Sequence, residues 1–316
     1  MDLRAAPLLQ CPAEKLMGVK PLEASPSQTL CVQTFLPRAE AWSLGWAGVL
    51  VDSGSGRSIA LDVPAGTACL STSMHIELVR PPIDVIDRSQ VGVGRPLHIG
   101  QGWALGDIVI ESTYPGTLVR ATTRYLVIEP EPGTEPSPPP TLKDVSTPDH
   151  AADLLSMLAL QLELAGEDSS RLSYSPQHRH ANFRGSVHGG LQVAMVDAAI
   201  MAATSRTPHD LTWSLLVLDL SFHCPVPLIS EPVFVEAETV HMGRHTAVLA
   251  ARIRDRAGKV FTTARGHLGR VCKENGQQDR AELKRLPLSG VRASNTNPDP
   301  RRRMPPYRRT CTTGTD

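Results

Sequence analysis

Slid against itself, the sequence matches at a nearly constant offset, and a fixed period of that kind reports a duplicated structural unit. GWAGVLVDSGSG around Asp52 lies over GGLQVAMVDAAI around Asp197 at an offset of 145. The run ending HIELVRPP at Pro81 lies over DLSFHCPVP at Pro225 at 144. LHIGQGWAL at Gly100 matches VHMGRHTAV at Gly243 at 143, and YPGTLVRATTRYLV at Gly116 matches RAGKVFTTARGHLG at Gly258 at 142. Anchors that drift by only three residues make the chain two copies of one unit, each a helix bearing one aspartate followed by four strands. The copies differ most just before that helix: Pro37 to Gly45 is eight residues, whereas Pro176 to Gly190 is fourteen. The first copy has lost a loop, and the second alone holds Asn182 and the His188-Gly189-Gly190 triplet.

At 316 residues the chain is about twice the usual domain size, so two globular blocks are expected, over 28–128 and 147–274. Between them Glu129 to Asp149 reads EPEPGTEPSPPPTLKDVSTPD, and its seven prolines can neither complete a hydrogen-bond ladder nor bury much apolar surface. Residues 129–146 are read as a linker, and residues 1–27 as a loosely ordered N-terminus. The last 42 residues, after Glu274, carry nine Lys and Arg against four Asp and Glu, with five prolines and few large apolar side chains. They read as a disordered basic tail over 275–316.

Lys plus Arg and Asp plus Glu are equal at 32 each, which argues against a surface built to coat nucleic acid. The longest apolar runs, such as Ala198 to Ala203, fall short of the roughly 20 residues of a spanning helix, and Asp2-Leu3-Arg4 leads into no signal-peptide core. Six cysteines without a C-x-x-C pair fit a reducing cytoplasm.

In the second block Thr147-Pro148 predicts a helix start, with Leu154, Leu155, Leu158 and Leu162 as one apolar stripe before Gly166. A second helix is predicted from Gly189 through Ile200, apolar on nearly every side and therefore buried. Strands are predicted near 213–222, 232–241, 245–254 and 259–269, with Leu216, Leu218, Leu220 and Phe222 on one face. One buried helix followed by antiparallel strands, twice over, gives an α+β class.

The run N-F-R-G-S-V-H-G-G from Asn182, then an apolar helix with Asp197 and a strand ending before Pro225, resembles the hotdog-fold acyl-CoA thioesterases. The likeness is to the phenylacetate-pathway and 4-hydroxybenzoyl-CoA branch, and it covers 175–270 well and 40–128 weakly. It implies two hotdog units in tandem, each a long helix wrapped by an antiparallel sheet. It also implies hydrolysis of an acyl-CoA thioester with no metal and no redox cofactor, coenzyme A being part of the substrate.

Thioester hydrolysis places negative charge on the carbonyl oxygen, and a backbone N–H at a helix N-terminus is a suitable stabiliser. Gly189 would supply it, with Gly190 beside it on the substrate side. His188 would organise the loop or move protons, and the Asn182 amide would hydrogen-bond the substrate or the attacking water. A carboxylate must then activate water or attack directly. Asp197 lies eight residues along the helix from Gly189, about 12 Å away, too far to act on a carbonyl held there. In the family the sites form between two units with antiparallel helices, so the acting carboxylate is expected to be Asp52. Ser71 lies where the family often places a hydroxyl beside it.

The reciprocal site has Asp197, but Ser43-Leu44-Gly45 replaces His-Gly-Gly and Leu215 replaces Ser71, with Ser214 one position away. The turn Gly243-Arg244-His245 resembles the one near the CoA phosphates in relatives. His178 and His180 lack metal-ligand spacing. Two rival functions remain. A hotdog hydratase would carry a His a few residues after its Asp, which neither Asp52 nor Asp197 has, and a non-catalytic acyl-CoA-binding protein would not need the set just named. Whether two chains pair into a dimer of double hotdogs is left open.

Overall fold

The computed structural model describes residues 8–25, 27–34, 42–64, 67–80, 89–112, 116–129, 142, 145, 154–166, 168–204, 211–228 and 231–272. Nearly all of the expected linker, Thr147-Pro148 and the expected basic tail lie outside them.

Each half runs as a short helix, two strands, a long helix and four strands. The first has α1 (Pro12–Leu16), β1 (Val19–Ser25), β2 (Gln28–Gln33), α2 (Leu44–Asp62), β3 (Ala68–Leu78), β4 (Gln90–Ile99), β5 (Trp103–Ser112) and β6 (Thr117–Ile128). The second has α3 (Leu154–Leu158), β7 (Gln161–Ala165), β8 (Ser169–Tyr174), α4 (Gly189–Thr204), β9 (Leu211–Phe222), β10 (Val233–Met242), β11 (Thr246–Arg254) and β12 (Val260–Cys272). The duplicated unit is thus larger than the helix and four strands read from the sequence, because a short helix and a hairpin precede each long helix. Residues 34–43 join β2 to α2, whereas 175–188 join β8 to α4, which locates the lost loop.

Among the described residues twelve strands form one antiparallel sheet in the order β1-β2-β4-β5-β6-β3-β9-β12-β11-β10-β8-β7. The halves are mirror-ordered and meet where Ser73–Glu77 of β3 pairs with Val217–Ser221 of β9. At the centre of that seam His75 and Asp219, equivalent positions of the two copies, face each other with Nδ1 and Oδ1 2.7 Å apart. The two expected blocks are therefore not separate domains: Met1–Lys273 is one compact unit, because a shared sheet leaves no place for a boundary.

Helices α2 and α4 lie against each other and are wrapped by the sheet, so both are buried on nearly every side. Trp46, Val49 and Leu50 of α2 and Leu191, Val193, Met195 and Ile200 of α4 are fully buried. The helices touch through backbone. A side chain at Gly190 would place its Cβ 2.5 Å from the Gly48 carbonyl carbon, and one at Gly45 would lie 3.0 Å from the Ala194 Cα.

Three expectations are corrected. Residues 8–25 are not loose: Cys11, Ala13, Leu16, Met17 and Val19 are fully buried, and β1 pairs along β2. The predicted helix through Leu162 stops at Leu158, where Ala159 turns with φ 51°, and Gln161–Ala165 pairs with β8 as an edge strand that leaves Leu162 and Leu164 half exposed. In β9 a bulge at Leu216 flips the alternation, so Leu215, Leu218 and Leu220 face the core while Leu216 faces out. The same bulge occurs at Thr72 in β3, the equivalent position.

Candidate active site

The helix pairing brings the N-terminus of α4 to the middle of α2. A Cβ at Gly189 would lie 2.6 Å from Asp52 Oδ2, so glycine is the residue that lets the carboxylate approach the helix start. Gly190 N–H donates to Asp52 Oδ2 at 3.1 Å, and His188 Nδ1 lies 3.2 Å from the same oxygen. The Thr72 bulge turns Ser71 inward, and its Oγ donates to Asp52 Oδ1 at 2.7 Å. Behind Asp52, Tyr125 Oη donates to the Asp52 carbonyl at 3.3 Å and shares a 2.7 Å hydrogen bond with Ser55 Oγ, which fixes this turn of α2. Asp52, Ser71, His188 and Gly189 thus come together from both copies. Among the described residues the Gly189 N–H has no acceptor, and it stands at the positive end of the α4 dipole.

These groups line a cavity of about 310 Å³. The β3–β9 pairing ends at Ser73 and Ser221, and beyond that point both runs, Leu70, Ser71 and Thr72 on one side and Phe222, His223, Cys224 and Pro225 on the other, line the cavity. Along α2 the wall continues from Asp52 through Gly56 and Ala60, one residue per turn, and on to Pro64 just past the helix end.

Other expected site residues are placed differently. Asn182 lines the cavity, but its amide is engaged within its own loop: Oδ1 accepts from the N–H groups of Arg184 and Ser186, and Nδ2 donates to Ser186 Oγ at 2.9 Å. It shapes the loop, which uses its carbonyl oxygen and one of its two amide N–H donors. Gly190 faces the backbone of Gly48 and serves the helix crossing, its N–H directed at Asp52. Gly243, Arg244 and His245 close the β10–β11 turn and do not line the cavity; the Arg244 carbonyl accepts from Arg270. His180 is buried, its Nδ1 accepts the Gln177 N–H, and burial followed by the Arg179 charge pushes it down to about 3. It is a neutral structural histidine at the base of the loop, and its carbonyl accepts the His188 N–H at 3.0 Å.

The reciprocal position repeats the geometry without the opening. Asp197 accepts from Gly45 N–H and Ser43 Oγ, as Asp52 accepts from Gly190 N–H and lies beside His188 Nδ1. Leu44 stands for Gly189 and Leu215 for Ser71, and since Tyr125 pairs with Ser71 and Leu268 with Leu215, Leu268 stands for Tyr125 at an offset of 143 rather than the 142 read from the sequence. The Leu154 Cδ1 lies 2.6 Å from where a Gly45 Cβ would be, which plugs the space. The bulge that turns Leu215 inward leaves Ser214 partly exposed, so Ser214 is no substitute. Asp197 is 1 % exposed, and its Oδ1 has no partner among the described residues.

Burial, opposed by the Ser43 and Gly45 hydrogen bonds, raises the Asp197 carboxyl from 3.8 to about 6. A raised value means that the fold favours the protonated form. Its stabilising contribution is full below about pH 4 and is lost as pH rises through about 6, costing about 3 kcal/mol at neutral pH. Asp197→Asn should therefore gain on wild type by about that amount between pH 4 and 7.5, and denaturant titrations across this range check it. A pH-independent difference between the two proteins would contradict it.

The sequence reading missed three groups. Arg57 and Glu14 are buried and line the cavity wall, and Ser53 Oγ lies 3.4 Å from His188 Nε2. A single arginine within GWAGVLVDSGSGRSIALD was the available signal for the first; nothing in the N-terminal segment marked Glu14.

Residues 184–262 match the family model of the thioesterase superfamily. Among solved structures, the tesB protein of Mycobacterium avium subsp. paratuberculosis is 14% identical, with a TM-score of 0.56 over 79% of this chain and 96% of that one. The acyl-CoA thioesterase II TesB2 of Mycobacterium marinum is 11% identical, with a TM-score of 0.54 over 83% and 99%. A hot dog fold protein of unknown function from Alicyclobacillus acidocaldarius is 9% identical, with a TM-score of 0.54 over 84% and 99%. No curated protein matches the sequence. Likeness at such identities shows the fold: the chain is a double hotdog protein, and its second repeat carries the thioesterase-superfamily match.

Proposed function

We propose that the chain hydrolyses acyl-CoA thioesters at one site shared by its two repeats. The observation that carries this reading is the meeting of Asp52 and Ser71 from the first repeat with His188 and the Gly189 N–H from the second, which has no acceptor among the described residues, on the wall of a cavity. The acyl-CoA enters through the gap between β3 and residues 222–225. Its carbonyl oxygen accepts the Gly189 N–H, where charge developing in the tetrahedral intermediate meets the helix dipole. Asp52, held by Ser71, Gly190 N–H and His188, activates water for attack on the carbonyl carbon, and the CoA thiolate leaves. His188 orients the carboxylate. The small-residue wall through Gly56 and Ala60 leaves room beside α2 for the acyl group.

A thiol-release assay over a panel of acyl-CoAs tests this reading, and acyl-dependent release by the purified protein is the expected result. The hydratase alternative gains one observation, since His188 reaches in space the aspartate that no histidine follows in sequence. Enoyl-CoA consumed without thiol release would favour that alternative, and binding of acyl-CoA without either reaction would favour the non-catalytic one.

A further inference from the structure

The strongest feature the proposed chemistry does not use is an ion pair deep beside it. Arg57, five residues beyond Asp52 on α2, directs Nη2 at both Glu14 oxygens, at 2.6 and 2.7 Å, and at the Leu9 carbonyl at 2.6 Å. The side chains are 3% and 1% exposed. The second Glu14 oxygen also accepts the Cys11 N–H at 2.7 Å. Burial raises the Glu14 carboxyl, but the Arg57 and then the His188 charges outweigh it and hold the group below the usual carboxylate range.

This pair and the helix α1 that carries Glu14 approach the second repeat in three places. The guanidinium lies 5.4 Å from the ring centre of Phe183 in the 182–188 loop. Ala13 N–H of α1 donates to the Ala181 carbonyl at 3.1 Å. Ligand atoms of Cys11, Glu14 and His188 lie within 4.8 Å of one another. That trio is no cation site, because both Glu14 oxygens already bind the Arg57 guanidinium, whose charge would face any metal ion.

We propose that the buried Glu14–Arg57 pair, carried by α1 and α2, is a positioning device that holds loop 181–188 so that His188 and Gly189 face Asp52. The proposal rests on the hydrolase reading above for its kinetic consequence, though not for its structural one. A purely stabilising role does not explain the pair, since exchanging a buried ion pair for apolar side chains of similar volume is often neutral or favourable. What an apolar pair cannot supply is direction: the guanidinium fixes its carboxylate, the Leu9 carbonyl and the Phe183 ring at defined angles. Glu14 and Arg57 are positioning residues in this scheme and touch no reacting atom.

The test is the double variant Glu14→Leu/Arg57→Met in the full chain, measured by thermal unfolding, hydrogen exchange of the 181–188 amides and steady-state thioester hydrolysis. The expected result is a melting temperature at or above wild type, exchange of the loop amides at least tenfold faster, and kcat at least tenfold lower with KM within threefold. Wild-type exchange and wild-type kcat in the folded double variant would overturn the proposal. If the wild-type protein hydrolyses no acyl-CoA, the hydrolase reading fails by itself, and the loop exchange alone then decides the positioning role. Should the double variant not fold, Arg57→Lys keeps the charge beside Glu14 but removes the planar group over Phe183. It should likewise loosen the loop and lower kcat, and wild-type values for both would reject the idea.

Discussion

Replacing Asp52 by asparagine should lower kcat about a hundredfold or more and change KM little. A loss of that size is about 2.7 kcal/mol of transition-state stabilisation, as expected for a group needed mainly when the carbonyl is attacked. The fold should survive the change. An asparagine oxygen can still accept from Ser71 Oγ or from the Gly190 N–H, so what is lost is the charge beside His188 and the ability to take a proton from water. Asp197→Asn is the matched comparison, because the two aspartates occupy equivalent helix positions and differ in access: one borders the cavity and the other lies behind Leu154. It should retain most activity and act through stability. If Asp197→Asn is folded and inactive while Asp52→Asn is near wild type, the shared site is wrong. Catalysis would then have to come from a site between second repeats of two chains.

The pairing of these aspartates shows what the sequence could carry. The place of Asp52 opposite Gly189 was legible because three things met: a helix rise that puts Asp197 about 12 Å from Gly189, a repeat that supplies a second helix with an aspartate at the matching place, and the resemblance to a family whose sites form between antiparallel helices. The long helices and the last four strands of each half were legible for a similar reason, since α4 and β9 to β12 are long enough for their period to show. Elements of five to seven residues were not, apart from α3, whose Leu154, Leu155 and Leu158 fall in the predicted apolar stripe. Nothing periodic marks Pro12–Leu16 or Gln161–Ala165; the first is settled by burial of Cys11, Ala13 and Leu16 under α2, the second by pairing with β8.

Bulges were invisible for a different reason. The leucine run in β9 gives the same alternation on paper whether or not one residue is skipped, and only the partner strand decides that Leu215 points in. The repeat itself held the clue for the active side, because Ser71 and Leu215 are equivalent and the same skip places both. The loop-shaping part of Asn182 was not legible because the sequence shows an amide near a glycine-rich loop but not which backbone groups that loop leaves unsatisfied. Here the N–H groups of Arg184 and Ser186 claim it.

The site also depends on how closely α2 and α4 can approach, and Gly190→Ala should expose that dependence through a loss of about 3 kcal/mol or more. An alanine Cβ there would lie 2.5 Å from the Gly48 carbonyl carbon, inside contact distance of backbone that cannot rotate away as a side-chain tip can. The helices must move apart, and every buried contact along the crossing loosens with them. With roughly 2–4 °C lost per kcal/mol in a domain of this size, the melting temperature should fall by about 10 °C. Gly56→Ala in α2 separates this effect from the general response to adding a methyl group. Its Cβ would meet the Tyr125 hydroxyl at 3.2 Å, a contact a small shift relieves, and alanine favours a helix interior by about 1 kcal/mol. That variant should stay within a few degrees of wild type. Separation of the helices would also pull Gly189 away from Asp52, so the surviving folded fraction of Gly190→Ala should turn over more slowly at temperatures well below its transition. A Gly190→Ala protein with the wild-type melting temperature and kcat would show that the crossing tolerates a wider spacing, and the close backbone contact would then not be what aligns the two halves of the site.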